Sequence, residues 1–411
     1  MRGRAGHALE LSYYDVAARR VTRAGATLSR RLEKGKGIWR LELPRPDGGH
    51  AEVEQPGGPA SPPSRIARPL AGLLRGAEPE PVVRLRLPDG PQSENAEVLE
   101  GVRATEQLRL GDGGLHACAL SLIGSDQPPA EDPIARLRAM LERQYAEILR
   151  HDVGLRLDLD AEDVHRLRVA ARRARAVLRA ARPVLDQEWS EPLRAELKWL
   201  GGVLGPQRDL DVLLARLRQE IAQLEQSERA AAETLTDLLA QEREGAQGLA
   251  LEALSSARYL ALLDDLEDAA RGPKVRRGEV ALRKLAAREF RRLSKAAEQL
   301  GPDSTNEELH RARILGKRAR YAAELASPEL GKASRRLVDR AKVLQDVLGA
   351  HQDAIVAEAR LRGLLAEAPG SGAAFAAGRL VERERQRRRE ARARLPKAWR
   401  ALERSARAAL A

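Results

Sequence analysis

The chain has 411 residues, 43% hydrophobic and 32% charged, with a formal net charge of +12 and a pI near 10.2. That length supports two or three domains with real cores, the balance excludes a disordered chain, and the charge predicts an acidic partner. The lone Cys118 excludes an intrachain disulfide or a multi-cysteine metal site.

Residues 1–127 come first and are rich in Gly and Pro. Three stretches, Gly25–Arg31, Gly37–Leu43 and Pro81–Leu87, alternate apolar and polar residues at period two, which predicts half-buried strands. Pro56–Ser64 reads as a loop, and Gly124-Ser-Asp-Gln-Pro-Pro-Ala as the linker that ends a smaller β-rich domain. No apolar run approaches the roughly 18 residues of a membrane helix, and MRGRAGHALELSYYD lacks a signal peptide's apolar segment. A cytoplasmic location with no membrane partner is therefore expected.

Residues 128–411 form the second domain, rich in Ala, Leu, Arg and Glu as long helices are. They carry a net +10, against +2 for residues 1–127, so the polyanion expectation belongs here. The region repeats itself. His165-Arg-Leu-Arg-Val-Ala-Ala-Arg-Arg-Ala-Arg matches His310-Arg-Ala-Arg-Ile-Leu-Gly-Lys-Arg-Ala-Arg at an offset of 145 residues. Arg138, Arg143 and Tyr145 match Arg283, Arg288 and Phe290 at the same offset. A third block pairs Lys198 with Lys342 and Asp209 with Asp353 after a one-residue slip.

The first half spans about 133–268, with helices expected near 133–150, 161–184, 188–204 and a broken 207–268. The second spans about 278–408, with helices near 278–299, 305–326, 329–348 and a broken 351–408. Short connections predict two helical bundles. Acidic and polar residues at Asp160–Asp163 and Asp303–Glu308 predict capped starts for the second helix of each half. The Leu-Gly turns ending at Asp209 and Asp353 predict a close turn with Asp capping the next helix.

At 100° per residue, His165, Arg168, Arg172, Arg175 and Arg179 share an arc of about 80°, opposite the apolar Leu167, Ala171, Ala174, Val177 and Leu178. His310, Arg313, Lys317 and Arg320 repeat that arc, with Glu324 in the place of Arg179. Turns about 5 Å apart are commensurate with linked phosphates, and Arg offers bidentate donors to them. The bland alternative is a solvated face, but carboxylates are nearly absent from the stripe and it occurs twice. The histidines read as hydrogen-bonding residues at helix starts, and Glu384–Arg394 as a solvated basic helix rimming the site. Aromatics at 3% favour a phosphate chain without bases over nucleic acid, which stacks on rings.

The two His-x-x-Arg blocks, Leu-Gly-x-x-Arg-Asp-Leu-Asp-Val from Leu204, and Leu-Gln-Asp-x-Leu-Gly from Leu344 resemble the CHAD family, the conserved histidine α-helical domain. The resemblance covers about residues 133–408 and implies a mainly α fold, two four-helix bundles related by pseudo-twofold symmetry. It implies binding of inorganic polyphosphate, and the expectation is a non-catalytic binder without a cofactor, associated with polyphosphate granules. The implied ligands are His165, Arg168, Arg172, Arg175, Lys198, His310, Arg313, Lys317, Arg320 and Lys342, and the stripe adds Arg179.

Tyr13–Arg31 and Trp39–Pro44 resemble early strands of a CYTH-type triphosphate tunnel domain. The family's catalysis would need an opening Glu-x-Glu-x-Lys strand and late carboxylates to fix a divalent metal. No such strand precedes Tyr13, Glu42 stands where Lys is expected, and Leu115–Leu122 carries no carboxylate. The region is therefore expected to be degenerate, without catalytic or metal-binding residues. Arg30, Arg31, Arg84 and Arg86 remain candidate phosphate contacts, and Glu94, Glu97 and Glu100 the acidic cluster to watch. A metal-dependent triphosphatase and a nucleic-acid binder are the alternatives.

Overall fold

A computed structural model of the chain describes residues 9–16, 19–33, 35–44, 50–87, 95–100, 107–109, 133–160, 162–223, 225–276, 282–301, 303–367 and 371–410. Cys118 and the Leu115–Leu122 stretch lie outside them, as do Glu94 and the side chains of Glu97 and Glu100. Among the described residues there are seven strands: β1 Leu9–Asp15, β2 Thr27–Glu33, β3 Lys36–Pro44, β4 His50–Pro56, β5 Glu80–Leu87, β6 Asn95–Glu100 and β7 Gln107–Arg109. Short helices α1 Arg20–Arg23, α2 Ser64–Ala67 and α3 Ala71–Leu74 lie between them.

The long helices follow. They are α4 Pro133–Arg156, α5 Asp163–Ala180, α6 Gln187–Val203, α7 Gly205–Ile221, α8 Gln226–Leu254, α9 Ala257–Arg271, α10 Leu282–Ala297, α11 Asn306–Leu325, α12 Ser327–Leu330, α13 Ala333–Glu367 and α14 Ser371–Leu410. The protein is thus mainly α, with a smaller antiparallel β region ahead of the helices. Among the described residues no helix is long and apolar enough to cross a membrane.

Contacts group the chain into two compact units. One takes residues 1–128, 142–170 and 251–267; the other takes 129–141, 171–250 and 268–411. Four helices, α4, α5, α8 and α9, contribute residues to both.

In the first unit the sheet runs in the order β4-β3-β2-β1-β5-β6-β7, antiparallel throughout. The three strands read from alternation are β2, β3 and β5. Trp39 and Leu41 are buried on one face of the sheet and Leu85 on the other, Ile66 and Leu73 of the short helices are buried as well, and the Trp39 indole donates to the Gly58 carbonyl at 2.8 Å. The buried Asp15 carboxylate accepts from the backbone N–H groups of Val16, Val21 and Thr22 at 2.7, 2.9 and 3.1 Å, which ties the chain into α1. Arg20 and Arg75 both reach Glu267, at 3.1 and 2.9 Å, and Tyr145 reaches the same carboxylate at 3.2 Å. Gly72 is required by close approach, because a Cβ there would stand 2.3 Å from an Asp152 carboxylate oxygen. Asp152 is fully buried and bonded by Arg156 at 3.0 Å; burial outweighs that partner and pushes its carboxyl up to about 6.

In the second unit, Leu213, Leu217, Leu239, Leu361 and Leu380 from α7, α8, α13 and α14 share one apolar core. The capped start of α11 is a full capping box. Glu308 N–H donates to Thr305 Oγ1 at 3.2 Å, and Thr305 N–H donates to Glu308 at 2.8 Å.

The paired Leu-Gly turns depart from expectation. Asp209 lies inside α7, whose cap position is Leu204, and Asp353 lies inside a single α13 that runs from 333 to 367. Neither Asp is an N-cap. The reason is one residue: Pro206 opens a new helix in the first half because it has no N–H to continue the old one, whereas Ala350 holds the same place in the second and lets the helix run through. The basic run of α14 is likewise more than a solvated rim. Arg383 and Arg387 pair with Glu220 of α7, while Arg385 and Arg388 pair with Glu358 of α13 at 2.9 and 3.1 Å.

Candidate anion-binding cleft

The repeated helices are amphipathic as their spacing requires. Leu167, Ala171, Ala174, Val177 and Leu178 of α5 are all buried, which turns the basic face outward. In the second unit, residues 172–180 of α5, the start of α6, the middle of α10 and α11 enclose a cleft of about 850 Å³. Its walls carry ten Arg and Lys side chains against two carboxylates, Glu191 and Glu289.

The carboxylates are shared. Glu191 accepts from Arg194 at 2.5 Å and sits 2.8 Å from Arg182, while Glu289 accepts from Arg292 at 2.7 Å with Arg288 at 3.8 Å. They neutralise part of the cationic wall. Arg175 and Arg179 also line the cleft, and neither makes an ion pair within 4 Å among the described residues. Burial and the neighbouring Arg194 guanidinium hold Arg175 below its ordinary value. Arg179 is held down by burial and then by Arg318 and Arg194, with Glu289 only partly compensating. Arg313 also lines the cleft, with its buried Nε lacking a hydrogen-bond partner. Cations crowded against one another without full neutralisation create a positive potential that an anion relieves.

Of the residues singled out in the sequence, Arg172, Arg175, Arg179, His310, Arg313 and Lys317 line this cleft together. His165 and Arg168 are half-buried on the part of α5 that belongs to the first unit. Lys198 and Lys342 are exposed on α6 and α13 and do not line the cleft. Arg320 does not line it either. Its guanidinium donates to Gln345 at 2.9 Å, pairs with Glu324 at 3.0 Å, and lies over the Tyr321 ring. Glu324, noted as the odd residue of the second stripe, is what engages it. His310 approaches the Gln352 side chain at 3.1 Å, in keeping with a hydrogen-bonding residue near a helix start.

Sequence reading missed Arg182, Arg194, Arg288, Arg292 and Arg318. Arg288 carries a signal in the sequence, since it repeats Arg143. Arg318 falls outside the 80° arc about its own helix axis. It reaches the cleft because four helices, not one stripe, build the wall.

On the sheet of the first unit, Arg31 is bonded by Glu54 at 2.8 and 3.2 Å. Arg30 covers Gly37 and donates to the Gly57 carbonyl at 3.4 Å, while Arg84 and Arg86 are exposed on β5. The register puts Arg30 and Arg84 opposite Ser12 on one face and Arg31 opposite Leu11 on the other, so the four do not form one patch. The carboxylates that do gather are Glu42, Glu52 and Glu54 around Arg40, a cluster the sequence did not single out. Burial draws the Arg40 value down, but these three carboxylates raise it overall. Among the described residues, no three His, Cys, Asp or Glu side chains come together as metal ligands.

Fold and site together define a duplicated helical protein with a strongly cationic cleft. The chain belongs to the CHAD domain family, whose model matches residues 139–362. Uncharacterized proteins from two strains of Mycobacterium tuberculosis are 30% identical over 295 residues, which is 69% of this chain and 55% of theirs. The chain thus spans about half the length of these relatives. Among solved structures, PptA from Streptomyces chartreusis is similar with a TM-score of 0.53 and 26% identity, covering 64% of this chain and 98% of that one. The CHAD domain from the plant Ricinus communis is similar with a TM-score of 0.52 and 26% identity, covering 68% and 94%.

Proposed function

We propose that the cleft binds inorganic polyphosphate without chemically altering it. The observation that carries this reading is ten Arg and Lys side chains facing two carboxylates in one cleft, where burial and then Arg194 lower Arg175, and burial and then Arg318 and Arg194 lower Arg179. A chain of linked phosphates supplies repeated negative charge at a spacing that the turns of α5 and α11 match. Arg provides paired donors to each phosphate, and the binding energy includes relief of repulsion already present.

His165, Arg168, Lys198, Arg320 and Lys342, implied by family resemblance, are assigned no direct contact in this reading. Arg172, Arg175, Arg179, Arg313 and Lys317 form its centre, and Arg194, Arg288 and Arg318 extend it. Arg30, Arg84 and Arg86 remain a secondary phosphate contact set on the sheet. The sheet region is proposed to be degenerate as a phosphatase, and the protein to act in the cytoplasm, at polyphosphate granules.

Competition tests the ligand class. Long-chain polyphosphate and duplex DNA are titrated against the full chain at matched phosphate concentration and several salt concentrations. Polyphosphate should bind more tightly throughout, with a steep salt dependence of the kind counterion release produces. DNA displacing polyphosphate at equal phosphate concentration would reject the ligand assignment. Phosphate release from tripolyphosphate with Mg²⁺ or Mn²⁺ would reject the non-catalytic half.

A further inference from the structure

The cationic cleft has a finite charge as well as a sign. Its walls carry ten Arg and Lys side chains against Glu191 and Glu289, a formal +8 from these residues. The charges act as one group. Burial aside, Arg179 of α5 is repelled by Arg318 of α11 and Arg194 of α6 and attracted by Glu289 of α10, so all four helices contribute to a single field. The cleft is also bounded in space, at about 850 Å³, within the range of sites that enclose a drug-sized ligand.

Both limits translate into a number of phosphates. In a linear chain every phosphate carries one full negative charge, and each end carries a second that titrates near pH 6, roughly as in a phosphate monoester. A chain of about six to eight phosphates therefore matches the charge of the wall at neutral pH. Such a chain has about 25 to 33 non-hydrogen atoms, which is drug-sized and suits the volume. Charge and volume are independent limits, and they agree. A shorter chain leaves like charges crowded against one another. Phosphates beyond the matched segment lie outside the walls, stay hydrated and meet no further lining cations.

We propose that the cleft is a site for a segment of about six to eight linked phosphates, so that affinity depends on chain length up to that point and not beyond it. This rests on the polyphosphate reading of the cleft and adds the length that it takes. A free oligophosphate and an inner segment of a long chain are then held alike.

The test is calorimetric titration of the full chain with tripolyphosphate, octaphosphate and a sixteen-residue polyphosphate at one salt concentration. From tripolyphosphate to octaphosphate the affinity should rise at least about a hundredfold, since several charged contacts are added. From octaphosphate to the sixteen-residue chain it should rise by no more than roughly tenfold, because the longer chain only offers more registers of the same segment. Arg182→Gln/Arg292→Gln lowers the wall to +6 at two side chains that are 54% and 53% exposed. It should weaken octaphosphate roughly tenfold and tripolyphosphate less than about threefold, because Arg175, Arg179, Arg194 and Arg318 remain. Should that variant fail to fold, the near-isosteric Glu191→Gln raises the wall to +9 and should strengthen octaphosphate more than tripolyphosphate. A gain of about a hundredfold or more beyond octaphosphate, no gain between tripolyphosphate and octaphosphate, or equal changes for both in a folded variant would overturn the length assignment while leaving the polyphosphate reading in place. Binding at no length would overturn both.

Discussion

Replacing Arg179 by Gln should stabilise the ligand-free protein while weakening its hold on polyphosphate. Arg179 is held down by burial first, and among its charged neighbours Arg318, Arg194 and Arg175 repel it while Glu289 attracts it. Its side chain is exposed enough for solvent to screen each term, so each amounts to about 0.5 kcal/mol. With one attraction set against the repulsions, removing the charge should raise stability by about 0.5 to 1 kcal/mol and the melting temperature by roughly 1–3 °C. Binding moves the other way. A hydrogen bond to a charged group contributes about 1.5–3 kcal/mol, so polyphosphate affinity should fall roughly ten- to hundredfold. The slope of log affinity against log salt should drop by about one counterion. Scanning calorimetry without ligand and titration calorimetry with long-chain polyphosphate read the two effects on one sample. A variant that is less stable and binds as before would refute the reasoning, because Arg179 would then be a structural residue.

Arg320→Ala should keep polyphosphate affinity within about twofold while lowering stability by about 1 kcal/mol, since its bonds are to Gln345 and Glu324; titration and urea unfolding separate the two. Gly72→Ala should destabilise the first unit by about 1–3 kcal/mol, read by urea unfolding, because its Cβ would fall on the Asp152 carboxylate. His351, held down to about 4 by burial and by Arg392 and Arg388, is neutral when folded and protonates in the unfolded chain near 6.5. Its contribution is therefore complete above about pH 6.5 and lost as pH falls toward 4, so His351→Gln should flatten the melting temperature between pH 4 and 6.5. A slope unchanged by that substitution would place the acid sensitivity elsewhere.

The sequence made the duplication legible because the blocks at His165 and His310 share one offset and one apolar face, and both helices are present with that face buried. It also announced β2, β3 and β5 through alternation. Strand β4 went unread: its alternating Ala51–Gln55 run abuts the Gly/Pro loop at Pro56, and its Glu52 and Glu54 acquire meaning only when pairing puts them beside Arg40. The run of α13 through Gly349 depended on Ala350 replacing Pro206, a difference visible in the sequence but outweighed by the similarity of the blocks around it. The site was legible along α5 and α11 and not across them. Angular position about one axis says nothing about which other helix faces it, so Arg194, Arg288 and Arg318 needed the packed bundle. The same limit put Arg320 in the stripe although Glu324, one turn on, engages it.

The most direct test titrates long-chain polyphosphate against the full chain and an Arg172/Arg179/Arg313/Lys317→Ala variant whose helical content and melting are checked first. The wild type should bind and the variant should lose at least about a hundredfold in affinity, as expected from removing several charged contacts at once. Affinity unchanged in a folded variant would contradict the claim that this cleft holds the anion.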